Sequence, residues 1–82
     1  MENENREMTF GEKACGVSFN PGGRSDVDSI KSQFATLVDD LHNRRLLAGL
    51  ENKNETVRML SIAITEVQTA QMWAVKAVTW TN

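Results

Sequence analysis

Cysteine, histidine and proline are nearly missing from this chain, and tyrosine is absent altogether. The single cysteine, Cys15, excludes a disulfide framework within the chain. With His42 as the only histidine, four ligands for a structural zinc cannot be assembled, so no metal and no cofactor is expected. One free thiol fits a reducing cytoplasm. Charge of one sign is also lacking. A net charge of −2 and a pI near 5.3 leave no electrostatic footprint for DNA or RNA polymers. Long hydrophobic runs do not occur. The longest unbroken one is Met72 to Val75, and Arg58, Glu66, Gln68, Gln71 and Lys76 are spread around it, which argues against a membrane span. Residues 1–8 are charged and polar, so they read as a frayed N-terminus without a secretory leader. There is no internal repeat, no low-complexity tract and no alternating pattern long enough for a sheet.

What the chain does have is a long apolar helix pattern at its end. Between Val57 and Trp80 only Arg58, Glu66 and Lys76 are charged, and no glycine or proline intervenes. Val57, Leu60, Ile64, Val67, Ala74 and Val78 recur at helical spacing and make one stripe. Met59, Ala63, Ala70, Trp73, Ala77 and Trp80 make a second stripe on another side. Two apolar sides need two surfaces to cover them. A chain of 82 residues is one small domain whose core is marginal without added burial, and it has one other long helix to offer. The pattern therefore predicts an oligomer with the second long helices gathered inside.

The remaining punctuation is plain. Thr9-Phe10-Gly11-Glu12 matches a capping box and predicts a short helix over 10–15, closed by Gly16. Val17-Ser18-Phe19 reads as extended, and Asn20-Pro21-Gly22-Gly23 is the strongest turn signal. Ser25-Asp26-Val27-Asp28 is a second N-cap signature with acids in the first turn. Helix one is predicted over 26–47, with Val27, Ile30, Phe34, Leu37, Val38, Leu41 and Leu46 on its apolar face and Ala48-Gly49-Leu50 closing it. Asn52-Lys53-Asn54 is a polar turn whose Asn54 can cap helix two, predicted over 55–80. The fold class is all-α, a helical hairpin with a short N-terminal helix, one domain over 9–82.

Catalytic chemistry finds little footing. Cys15 and His42 are the candidates for a nucleophile and a base, but they read better as a buried thiol and a solvated histidine. Adjacent helical residues point about 100° apart, so Asp39 and Asp40 do not share a site and read as a solvated face. Arg44 and Arg45 are accounted for by the C-terminal end of helix one. Trp73 and Trp80 read as core or interface anchors. The segment from Phe19 to Lys31 is different, because it gathers Phe19, Asn20, a Gly-Gly turn, Arg24, a helix start and Lys31. Such a set can hold an anion and stack a base. Composition alone favours the plainer reading, a turn with Phe19 in the core and two surface cations.

Two stretches shift that balance. One is Thr9-Phe10-Gly11-Glu12-Lys13 with Phe19-Asn20-Pro21-Gly22-Gly23 and Val27-Asp28-Ser29-Ile30-Lys31. The other is Arg58-Met59-Leu60-Ser61-Ile62-Ala63 running through Gln68 and Met72 to Val75-Lys76-Ala77-Val78. In their order and spacing they resemble the small phage helical-hairpin proteins of the second anti-CBASS family, whose hairpin is shared with a Thoeris anti-defence family. The resemblance implies a homohexamer in the cytoplasm of an infected bacterial host. It implies that the protein binds cyclic dinucleotides between subunits without cleaving them, so that it is not an enzyme, and thereby blocks activation of CBASS effectors. It also implies that an aromatic residue stacks on a base and a helix-one lysine meets phosphate. The matching positions are Phe19 and Lys31, with Phe10 as the alternative aromatic and Asn20 and Arg24 beside them. Some members hold cyclic trinucleotides in a second pocket through an arginine that precedes a threonine. Here Ile64 precedes Thr65, a departure that leaves Arg58 as the substitute. The competing reading, from another class, is a structural oligomeric hairpin that acts as an adaptor for another protein.

Overall fold

The computed structural model describes residues 7–81, which form three helices and, among those residues, no strand. They are α1 (Phe10–Cys15), α2 (Ser25–Leu50) and α3 (Asn54–Val78). The fraying expected of residues 1–8 lies outside the described residues except at Glu7 and Met8.

Helix α1 has both of its ends built as the sequence indicates. The Thr9 hydroxyl accepts from the Glu12 N–H at 3.0 Å, and the Glu12 carboxylate accepts from the Thr9 N–H at 2.9 Å. Gly16 closes the helix in the left-handed region at φ 61°, donating to the carbonyls of Glu12 and Lys13. Val17 and Ser18 then form a turn, with the Phe19 N–H on the Gly16 carbonyl at 2.9 Å, where an extended segment was expected.

Helix α2 begins one residue earlier than expected and ends three residues later. Its N-cap position is Arg24, which makes no side-chain cap bond, and Ser25 is already helical. Asp26 and Asp28 still lie in the first turn, where the helix dipole favours acids. Ala48, Gly49 and Leu50 do not stop the helix but form its last turn, because the left-handed residue that reverses the chain is Asn52, at φ 59°. The Glu51 and Lys53 N–H groups close the end by donating to carbonyls of that last turn. Asn54 likewise opens α3 as its first helical residue, with Lys53 at the N-cap position. Helix α3 stops at Val78, so Trp80 lies beyond it.

The core is small. Val38 of α2 is sealed, and Cys15, Ala35 and Ile64 close around it, with Phe34, Leu41 and Val67 packed alongside. The first apolar stripe of α3 faces this core, while Met59, Trp73, Ala77 and Trp80 of the second stripe are exposed. Leu46 is 55% exposed, against expectation. Five residues past Leu41 is about 140° around a helix, whereas Ala48, seven residues on, returns to the inner face and is buried.

Helix α1 docks on α2 through contacts that the sequence reading assigned to solvent. The Gly11 N–H donates to the Asp39 carboxylate at 2.6 Å, so Asp39 holds α1 rather than facing water. His42 is half-buried and stacks on the Phe10 ring with centroids 4.2 Å apart. Arg45 donates to Ser61 at 3.1 Å, lies 2.8 Å from the His42 ring nitrogen and stands over Phe10. Because α2 runs on to Leu50, Arg44 and Arg45 are not in its last turn; Arg44 pairs instead with Asp40 at 2.8 Å. The molecule is flat, with extents of 46, 37 and 13 Å. No helix of the described residues is long and apolar enough to cross a membrane.

Candidate functional site

The loop between α1 and α2 is held from beneath by a buried lysine. Lys31, only 6% exposed, sends its ammonium to the carbonyls of Gly16, at 3.0 Å, and Phe19. A buried ammonium without partners is costly, and these two carbonyls compensate it. An ammonium has three donors, so one remains after the loop is held. The loop carbonyls turn inward to the lysine and the Phe19 side chain turns outward. The ring is 71% exposed, with the Lys31 nitrogen 5.4 Å from its centroid. Phe19 is therefore not in the core, contrary to the plainer reading of its segment.

Two cavities meet at this ring. One, of about 400 Å³, opens between the end of α1 and α3 and is walled by Cys15, Gly16, Gln68, Gln71 and Met72. The other, of about 290 Å³, opens between the loop and the end of α3 and is walled by Asn20, Gly22, Arg24, Val27 and Thr79. Phe19, Lys31 and Val75 line both.

Asn20 and Arg24 reach this place, but their polar groups are already engaged. The Asn20 amide donates to the Arg24 carbonyl at 2.7 Å and to Asp28 at 2.8 Å, and accepts from the Arg24 N–H at 3.2 Å. Asn20 thus fastens the turn ahead of α2, the work that the Ser25-Asp26 signature was expected to do. Arg24 pairs with Asp26 at 2.7 Å and donates to the Val78 carbonyl at 2.9 Å, tying the loop to the end of α3. The hydrogen bond between them holds the Arg24 guanidinium above its ordinary pKa and the Asp26 carboxyl below its own. Phe10 is not part of the cluster, since it stacks on His42. Arg58 pairs with Glu55, and the Thr65 hydroxyl donates to the Ser61 carbonyl at 3.2 Å. Neither lines these two cavities.

Cys15 forms part of the first cavity's wall, yet burial and the nearby Asp39 charge push its thiol upward, with Lys31 offsetting part of the rise. A thiol held protonated is a poor nucleophile. His42 belongs to the opposite end of α1, against Phe10. The arrangement is suited to holding a flat, anionic molecule: an exposed ring, one free ammonium donor and two adjoining hollows with apolar walls. Sequence reasoning missed the α3 wall, above all Gln68 and Gln71. Its signal was present, because Gln71 occupies a place on the inner stripe between Val67 and Ala74.

Neither a search of curated proteins nor one of solved structures finds a match. The family model described as the Acb2/Tad1 hairpin domain matches residues 8–79, which takes in all three helices and the loop that carries Phe19. This chain belongs to that family, the anti-CBASS and anti-Thoeris hairpin proteins.

Proposed function

We propose that this protein captures cyclic oligonucleotide second messengers, cyclic dinucleotides foremost, and holds them intact, so that CBASS effectors are never activated. Family membership supports a phage anti-defence role. The observation that carries the finer reading is the exposed Phe19 ring standing over the Lys31 ammonium where two cavities meet. A cyclic dinucleotide brings two flat bases and two negative charges. The ring offers a stacking surface and Lys31 a charge-assisted donor to phosphate. Binding without cleavage is supported by the raised pKa of the Cys15 thiol and its separation from His42. The protein then acts by mass action in the cytoplasm of the infected host. Assembly of copies, a hexamer in this reading, is supported by the uncovered second stripe of α3; a ligand enclosed between subunits loses more solvent contact than one on a single chain. Cyclic trinucleotides at Arg58 and Thr65 have weaker support, because Arg58 is paired with Glu55.

Titration of the purified protein with cyclic di- and trinucleotides by calorimetry, followed by heat release and identification of the ligand, tests the reading. Tight binding with unaltered ligand recovered is expected. No binding to any of them overturns the reading and favours the adaptor, for which the same uncovered stripe speaks.

A further inference from the structure

Gln71 is the one residue on the inner stripe of α3 whose polarity the core does not use. Val57, Leu60, Ile64, Val67, Ala74 and Val78 are spaced as a continuous seam, and Gln71 falls between Val67 and Ala74. It is only 6% exposed, and its side-chain amide has no hydrogen-bond partner among the described residues. Buried amides are ordinarily paired, since leaving one unpaired is costly. Yet no side-chain nitrogen or oxygen among those residues is both sealed from solvent and unpartnered. The polar atoms of Gln71 therefore keep a narrow opening, and the opening is the larger cavity, whose wall includes Gln71 together with Phe19 and Lys31. The Gln68 amide nitrogen turns back to the Ile64 carbonyl at 3.4 Å, and two of the three Lys31 ammonium donors hold the loop.

We infer that Gln71 reads the N7 edge of a purine: in the wall of the Phe19–Lys31 cavity its amide takes the N7 acceptor and N6 donor of adenine in preference to the paired N7 and O6 acceptors that guanine presents on the same edge. An amide has one donating and one accepting face side by side, so on that edge it can satisfy adenine with two bonds and guanine with only one. An apolar residue would fill the same seam position without choosing between bases. The inference rests on the proposed capture of cyclic dinucleotides, and its test separates the two.

Calorimetry on the full chain would compare cyclic di-AMP with cyclic di-GMP for the native protein and for Gln71→Leu, with thermal melting to verify folding. The native protein is expected to favour cyclic di-AMP by roughly tenfold, the scale of one bidentate base contact. Gln71→Leu should bring the two ligands close together by weakening cyclic di-AMP alone. Gln71→Met, nearer in length, carries the same comparison if the leucine variant does not melt cooperatively. A native preference for cyclic di-GMP, a preference that survives the substitution, or an equal loss for both ligands would overturn the role of Gln71 and leave the proposed capture of cyclic dinucleotides standing. Failure of the native protein to bind either ligand overturns both.

Discussion

Phe19 and Lys31 sit side by side but answer differently to substitution. Phe19 projects into solvent, so Phe19→Ala should leave the melting temperature almost unchanged, as for most surface changes. Its effect on cyclic dinucleotide affinity should be large, about 1–3 kcal/mol for loss of one stacked base. Lys31 is a structural group, because its ammonium organises the loop that presents Phe19, and in the proposed function it is a binding group as well. Lys31→Ala strips two carbonyls of their donor and should cost about 1–3 kcal/mol of stability in addition to binding. Calorimetry beside thermal denaturation checks both. Loss of binding in Lys31→Ala with retained binding in Phe19→Ala would move the ligand off the ring. The charged and aromatic members of this site were legible in the sequence as residue types on a short segment. Their division of labour was not, since nothing in a linear pattern shows that Asn20 and Arg24 are consumed by the turn and the α3 end.

At the scale of elements, α1 is a latch fixed at both ends. Its start is pinned to Asp39 and His42, and its end is pinned through the Gly16 carbonyl to Lys31. The approach at Gly11 is so close that an added Cβ would stand 2.1 Å from the Ala35 carbonyl oxygen, backbone that cannot swing aside. Gly11→Ala should therefore lift α1 away from α2, costing about 1–3 kcal/mol as overpacking does. Chemical denaturation would read the loss, and a variant as stable as the parent would contradict this close docking of α1 on α2. Local signals made α1 fully legible, because a capping box and a terminal glycine bracket its six residues. The ends of α2 were not. Gly49 looked like a stop, but a glycine ends a helix only where the chain needs a positive φ, and Asn52 supplies that turn three residues later. The anchoring of Asp39, His42 and Arg45 depends on where α1 lands, a tertiary matter that periodicity does not encode.

For the whole molecule, the inner stripe of α3 is covered by the chain itself and the outer stripe is open. Trp73 and Trp80 stand there on either side of the Lys76 ammonium, 5.3 and 5.9 Å from it, around a hollow of about 370 Å³. If copies of the chain meet on this face, Trp73→Glu should lower the mass seen by light scattering and abolish the dependence of melting temperature on protein concentration. An unchanged mass would direct assembly to another surface. The two-sided pattern was legible because helical spacing records which positions share a face; the identity of what covers the second face lies outside one chain's periodicity. The turn at 51–53 carries a kinetic meaning as well. It joins helices of 26 and 25 residues with so little chain that their meeting requires almost no loop to be closed, and the short α1 adds onto its immediate neighbour in sequence. Chains made of such local contacts fold on the scale of microseconds to milliseconds. If copies must meet to complete the site, the time from synthesis to a working protein is then set by how soon they encounter one another rather than by the folding of each.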